Sequence, residues 1–306
     1  QLFPTYEFTQ LSTRAGGVSY KFATSDSFDP VNFLTFLVPN LFGNATNQTF
    51  WKSAELWQFW ELCGYLGVGS LLLVGLTGKD ESNRPLRLFF SLLLLLSLFL
   101  SLGRYNPIYP FIYQLPGFGH FRIPAQILYL YVFSVCLLAG IGLDNANRTS
   151  ETPLLYKTMV GICFVILATL TTAIFFFPVP FFAFVFKIVQ PTDLTPIILD
   201  SIQERTELSV LTADVFFGLS VLLVYWRNKG RLGSVSFTAG LLFVVIVDLW
   251  LFSKPMIKTT NLTLAPQKKK VVEFLRNEPG HFRVVTADGF VKPNDAMLYG
   301  YQNVEG

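Results

Sequence analysis

Six long stretches of the chain are apolar and almost free of charged residues, and they constrain the fold more than any other feature. A membrane-spanning helix needs about 20 mostly apolar residues. The uncharged runs hold 16 to 29 residues, and only the run around Asp214 contains an internal charge. The pattern therefore predicts membrane spans near residues 60–78, 86–103, 123–143, 157–177, 208–226 and 232–252.

The composition agrees with a chain whose main solvent is lipid. Charged residues make up 14% of the 306 residues, against about 25% in ordinary soluble proteins, and 52% are apolar. A soluble domain could not cover so much apolar surface with so few charges, and a net charge of +3 is too small to imply a nucleic-acid partner. We predict an all-α polytopic membrane protein of about six transmembrane helices, with extracytoplasmic loops and the start of a small α+β outer domain.

The distribution of Lys and Arg predicts an orientation. Loops 79–87, 144–157 and 227–231 hold eight basic residues in 28 positions, whereas the opposite loops, 104–122 and 187–207, hold four in 40. Because basic loops stay on the cytoplasmic side, both long end segments are expected outside the membrane, on the extracytoplasmic face.

The segments that flank the spans have their own patterns. Residues 1–58 precede the membrane domain, 59–253, and an apolar stretch near 30–42 predicts a short helix lying in the interface. Residues 254–306 are expected to open an outer domain, with an amphipathic helix over 265–277 and a strand over 281–286. Because the chain starts at Gln1 and not at Met, we expect an internal segment of a longer protein.

The uncharged run 158–186 is too long for one straight crossing. Pro178 and Pro180 predict that the helix ends near Phe177, because proline cannot continue a helix from within. The aromatic residues beyond the break would then lie along the membrane surface. A re-entrant hairpin is the alternative.

The densest group of polar and aromatic residues lies in the predicted outer loop 104–126. Four prolines and two glycines in this loop predict a shaped backbone. Arg104 and Arg122 stand at its two ends, where guanidinium groups could grip a phosphate or pyrophosphate, and His120 is a weaker candidate for hydrogen bonding. The alternative is that both arginines extend to lipid headgroups and only anchor the helix ends.

Apart from Glu61 at the start of the first span, the carboxylates inside predicted spans are Asp214 and Asp248. A charge within a bilayer is costly, so such residues usually face a polar interior. They are candidates for a proton or substrate pathway, or for an interfacial position with a hydrogen-bond partner. The three cysteines lack metal-ligand spacing, and no cofactor or metal site is evident, although dependence on a divalent metal stays open.

Several segments together resemble the YfhO family of bacterial membrane proteins. In chain order they are Leu11-Ser-Thr-Arg14, Pro39-Asn-Leu-Phe-Gly43, Leu115-Pro-Gly-Phe-Gly-His-Phe-Arg-Ile-Pro-Ala-Gln126, Leu138-Ala-Gly-Ile-Gly-Leu-Asp144 and Leu298-Tyr-Gly-Tyr-Gln-Asn-Val-Glu-Gly306. The resemblance covers nearly the whole chain as the middle of a longer protein.

The YfhO family is similar to the GT-C glycosyltransferases. The resemblance implies a multi-pass enzyme of the bacterial cytoplasmic membrane that transfers a sugar from an undecaprenyl-phosphate carrier to an envelope polymer such as lipoteichoic acid. It implies that Arg122, Arg104 and Arg14 contact phosphate or sugar, and that the catalytic acid lies upstream of Gln1. The alternatives are a transporter or lipid-carrier flippase, and a noncatalytic membrane scaffold.

Overall fold

The computed structural model describes most of the chain, in two compact units, residues 1–256 and 257–306. Only the backbone is described for residues 47, 58, 186–189, 196–201 and 266–269. The described residues are 7, 10, 11, 15–47, 50, 58–78, 81, 83–115, 118–149, 151–189, 196–257, 266–285, 296, 299–302 and 304.

The described part of the chain is helical. Three-residue to seven-residue 3-10 turns connect the helices, the longest of them at Pro30–Phe36. The α-helices are α1 Tyr20–Ala23, α2 Gln58–Glu61, α3 Val68–Gly75, α4 Arg84–Ser101, α5 Tyr109–Tyr113, α6 Leu128–Arg148, α7 Leu154–Phe176, α8 Pro178–Val189, α9 Pro196–Asn228, α10 Ser234–Ser253 and α11 Pro266–Asn277.

Five of these helices, α4, α6, α7, α9 and α10, are long and apolar enough to cross a membrane. In hydrocarbon every backbone N–H and C=O must be satisfied within the protein, and a continuous helix achieves this. Proline stands at or just before the first turn of α4 and α7, where its missing N–H costs nothing. The chain is an all-α polytopic membrane protein, as predicted, and five of the six predicted spans are long helices.

The predicted first span, 60–78, is not a continuous helix, and the prediction was wrong on this point. Residues 63–67 are non-helical and separate α2 from the eight-residue helix α3. Gly67 has a φ of +83°, which favours glycine. A Cβ on Gly64 would lie 2.6 Å from the Phe36 ring, so the chain passes this point only because no side chain is present.

This interrupted segment nevertheless runs from one end of the helix bundle to the other. The Gln126 amide, just before α6, donates to Glu61 over 3.4 Å, and the Asn145 amide, near the end of α6, donates to the Leu76 carbonyl over 2.8 Å. Glu61 and Leu76 thus lie beside opposite ends of α6, whose 21 residues extend about 32 Å, enough for a bilayer core of about 30 Å. Helix α3 packs against α6, α7, α9 and α10, at the centre of the bundle.

Side-chain hydrogen bonds identify which helix ends lie together. Asn147 on α6 donates to Thr238 on α10 over 2.9 Å, and Arg227 on α9 donates to the Asn147 carbonyl over 2.7 Å. We call this side, with residues 76–78, 81, 83, 144–149, 151–157 and 227–234, the basic end. The opposite side, with residues 15–47, 102–115 and 118–127, is the loop end.

Residues 30–42 are helical only over Pro30–Phe36, and their predicted place at the membrane surface stays a prediction. They begin as a 3-10 helix, capped by the Asp29 carboxylate on the Val31 N–H, and then turn. Five of the segment's apolar side chains are buried in the protein core, namely Phe36, Leu37, Val38, Leu41 and Phe42, and Val31, Phe33 and Leu34 are half-buried. The sequence showed an apolar stretch too short to span, and much of it packs against protein helices.

The long uncharged run 158–186 breaks where the prolines predict. Helix α7 ends at Phe176 and α8 begins at Pro178. The Phe182 side chain of α8 is buried, whereas Phe184 is largely exposed. The run 158–186 therefore contains one long helix, α7, and most of a second helix, α8, instead of a single continuous helix.

The unit 257–306 confirms the predicted amphipathic helix and corrects the predicted strand. Helix α11 covers Pro266–Asn277, and Val272 is buried against Ala296 and Tyr301. Val284 forms an isolated backbone bridge, donating to the Gln302 carbonyl over 2.8 Å and accepting from Val304 over 3.1 Å. No strand is present among the described residues of this unit, and Thr286 lies outside them.

Candidate functional site

The two predicted arginines of the outer loop both contact the segment around α1. The Arg104 guanidinium donates twice to the Thr24 carbonyl, through Nε at 3.2 Å and Nη2 at 3.0 Å. The Arg122 guanidinium lies over the Phe22 ring, 5.3 Å from its centroid, at cation–π distance. The loop and the N-terminal segment are therefore fastened to each other at the loop end. Binding of a substrate by these arginines stays a prediction, and Arg14 lies outside the described residues.

Gly103 makes this close fit possible. Its φ of +46° and the absence of a Cβ let the chain pass against the Ser27 hydroxyl, which accepts a hydrogen bond from the Arg104 N–H over 3.0 Å.

Burial raises the pKa of the neighbouring Tyr105, and the Asp29 carboxylate, 3.4 Å from its hydroxyl, raises this pKa further, while Arg104 partly lowers it. Tyr105 thus stays a neutral hydrogen-bond donor at ordinary pH.

His120 lines an open cleft at the same end. Its other walls include Ser19, Tyr113 and Gln114. The Val18 N–H donates to the Gly119 carbonyl, and the Tyr113 hydroxyl donates to the Val18 carbonyl. The cleft therefore lies where hydrogen bonds join the segment around Val18 to the outer loop. The residues that line the cleft offer hydrogen-bonding groups, and none of them is Asp, Glu, Lys or Arg.

A cavity of about 220 Å³ lies elsewhere, between the loop-end halves of α9 and α10. Its surface is mostly apolar, and we call it the polar cavity after the charged and polar side chains that distinguish it. Arg205, Ser209 and Thr212 line it from α9, at the helical spacing i, i+4 and i+7. The other lining residues are Asp248, Leu251, Phe252 and Pro255, with Pro39, Asn40, Asn44, Tyr65, Leu208 and Ala213. The cavity thus combines a guanidinium group, a carboxylate, amides and hydroxyls.

Asp248 holds the interrupted membrane segment beside this cavity. One carboxylate oxygen accepts from the Tyr65 hydroxyl over 2.6 Å and the other from the Val68 N–H over 3.1 Å. The negative charge therefore lies at the positive N-terminus of α3 and satisfies one of its free N–H groups. At 2% exposure Asp248 is buried, so the structure places this predicted residue in a polar interior.

Asp214, the second predicted carboxylate, forms a hydrogen bond elsewhere in the helix bundle. It accepts a hydrogen bond from the Thr171 hydroxyl of α7 over 2.7 Å. Asp214 does not line the polar cavity, although its neighbour Ala213 does. The two aspartates are therefore separate, and each has a hydrogen-bond partner.

An apolar groove of about 500 Å³ lies on the other side of residues 39–44. Asn40 and Asn44 line the polar cavity, whereas Leu41 and Phe42 line the groove. Thr169 carries the only polar side chain of the lining, and it donates to the Val165 carbonyl of its own helix. The lining is Val31, Leu34, Leu41, Phe42, Thr169, Leu170, Ala173, Phe177, Pro180, Phe181, Phe184 and Val185.

The structure adds Arg205, a charged cavity residue that the sequence analysis did not identify as a site residue. Of the predicted site residues, Arg104 and Arg122 both contact the α1 segment, and Asp248 lines the polar cavity. Arg205 was counted as a loop charge, although its helical spacing with Ser209 and Thr212 could have identified a polar stripe. Among the residues that the structure describes, no three His, Cys, Asp or Glu side chains are grouped to hold a metal ion. The chain matches no family model, no curated protein and no solved structure.

Proposed function

We propose that the protein is a membrane glycosyltransferase that takes a sugar from a polyprenyl-phosphate carrier at its loop end. The observation that carries the proposal is the pairing of the polar cavity with the apolar groove across residues 39–44. A lipid-linked sugar has the same two parts, a phosphate with hydroxyl groups and a long hydrocarbon chain.

Each part of such a substrate finds matching chemistry. Arg205 offers planar guanidinium donors for the phosphate. Asn40, Asn44 and Ser209 lie where sugar hydroxyls could hydrogen-bond. The exposed rings of Phe177 and Phe184 open the groove towards lipid.

The basic residues of the opposite end support the proposed orientation. Basic loops favour the cytoplasmic side, which would put the loop end on the extracytoplasmic face of a bacterial cytoplasmic membrane. An envelope polymer such as lipoteichoic acid is the acceptor that we propose. The resemblance to the YfhO family favours the same substrates.

The interrupted segment 61–76 favours a second candidate, a transporter or lipid-carrier flippase. Broken membrane segments with charged groups at half-helix ends are typical of transporters, where they occur as matching pairs in two halves. One such segment is present among the described spans. Movement of labelled carrier across vesicles, without sugar transfer, would favour this candidate.

Filling the apolar groove tests the proposal. In Ala173→Trp the indole would occupy space that the carrier chain needs, so we expect sugar incorporation into the envelope polymer to fall at least tenfold. Ala168→Trp is the matched control, because Ala168 is an exposed residue of the same helix outside the groove. The measurement is incorporation of labelled sugar in cells whose only copy is the variant, normalised to protein in the membrane. Equal incorporation in both variants would contradict the proposal.

A further inference from the structure

The polar cavity has a long axis that follows two antiparallel helices. Arg205 and Ala213, eight residues apart on α9, both line it, so it extends about 12 Å along the helix. Ala213 lies 14 residues before Arg227 on α9, and Asp248 lies 14 residues after Ser234, the first residue of α10. The Arg227 guanidinium donates to the Ser234 hydroxyl over 3.1 Å, so these two reference points lie together at the basic end. Ala213 and Asp248 are therefore at the same depth, and Arg205 and Asp248 mark opposite ends of the cavity.

The two ends carry opposite charge. Arg205 is exposed and forms the mouth, whereas Asp248 is 2% exposed and forms the floor. Asn40, Ser209 and Thr212 supply neutral polar groups to the same cavity. A bound molecule would thus meet a positive mouth and a negative floor.

The floor is unsuitable for a phosphate. The N-terminus of α3 would attract an anion, but the Asp248 carboxylate already accepts from its Val68 N–H. A phosphate there would face a buried like charge. The phosphate therefore belongs at Arg205.

The floor is suited to hydrogen-bond donors. Asp248 receives one donor on each oxygen, from Tyr65 and Val68. A carboxylate oxygen has two lone pairs, so each can accept a second hydrogen bond. Sugar hydroxyls are donors of this kind, and a bare carrier phosphate, which is mostly doubly ionised at pH 7 because its second pKa is about 6, offers few.

We infer that the cavity holds a lipid-linked sugar with its phosphate at Arg205 and its sugar at Asp248, and that Asp248 distinguishes the sugar-bearing carrier from the bare carrier. This inference rests on the proposed function. It assigns Asp248 to substrate selection and not to proton transfer.

The test compares binding of two probes, undecaprenyl phosphate and undecaprenyl phosphoglucose, to the full chain in lipid nanodiscs. We expect Asp248→Asn to weaken binding of the glucosylated probe at least fivefold while the bare probe binds as before. Arg205→Ala should weaken both. Equal effects of Asp248→Asn on both probes, or no effect on either, would overturn the inference alone. If the unmodified protein binds neither probe, the proposed function fails and the inference fails with it.

Tyr65→Phe separates selection from support of the fold. This variant keeps the carboxylate and frees one of its lone pairs, so the preference for the glucosylated probe should persist. If Asp248 served only to hold Tyr65 in place, Tyr65→Phe would weaken both probes alike. Because this comparison does not need Asp248→Asn, an equal loss of binding of both probes in Tyr65→Phe would overturn the inference even if Asp248→Asn fails to fold, and thermal melting of each variant reports folding.

Discussion

Replacing Arg205 with alanine is expected to reduce binding of undecaprenyl phosphate about a hundredfold. Arg205 is the guanidinium group of the polar cavity, and a hydrogen bond to a charged group contributes about 1.5–3 kcal/mol. A hundredfold loss corresponds to about 2.8 kcal/mol, within that range. Equilibrium binding of the labelled lipid to the purified full chain measures the effect.

Three further substitutions make this prediction specific. Arg205→Lys keeps the charge but loses the planar fork, so we expect intermediate binding. Arg231→Ala, an exposed residue of the basic end, should bind as the unmodified protein does. If Arg122→Ala weakens binding more than Arg205→Ala, the phosphate lies at the outer loop and the site predicted from the sequence is the correct one.

Gly142→Ala is expected to destabilise the helix bundle by about 3 kcal/mol, the upper part of the usual range for overpacking. A Cβ on Gly142 of α6 would overlap the Leu73 carbonyl of α3, and a backbone oxygen cannot move aside as a side-chain tip can. The two helices would have to separate along the contact that fixes the interrupted segment. Unfolding of the purified protein in mixed detergent measures the change.

Gly140→Ala is the matched control for this prediction. It lies two residues away on the same helix, and no atom lies within 4 Å of the position of its Cβ. Because alanine favours a helix over glycine by up to about 1 kcal/mol, we expect Gly140→Ala to be at least as stable as the unmodified protein. Equal stability of the two variants would contradict the close packing of α3 against α6.

The sequence predicts the long helices well, because their limits depend on local composition. Charges and prolines bound the apolar runs, so α4, α7 and α10 begin and end within three residues of the predicted limits, whereas α6 lies five residues further along the chain than predicted. Helix α9 extends further than predicted, to 33 residues, since its polar first half was counted as loop.

The sequence does not predict the break in the first span, because the break depends on a distant residue. Asp248 lies 180 positions from Val68, whose N–H it accepts. The burial of residues 30–42 depends likewise on packing against helices far along the chain, as the 3.2 Å hydrogen bond from the Asn40 N–H to Ser209 illustrates. Local patterns identified Asp248 as an unusual residue without revealing its partners.

The same distinction applies to the candidate site. Composition identified Arg104 and Arg122 as unusual, and the structure brings both to the α1 segment. The cavity with Arg205 exists only because α9, α10 and residues 39–44 meet, and no single stretch of sequence contains it.

Photo-crosslinking tests the central claim most directly. An undecaprenyl phosphate with a diazirine in its chain would be activated on the full-length protein in a native-like bilayer, and the labelled peptides mapped. We predict labelling concentrated on the groove residues of α7 and α8, from Thr169 to Val185, and its loss when unlabelled undecaprenyl phosphate competes. Labelling that spreads over the lipid-exposed faces, including α4, and that does not respond to competitor would contradict the account.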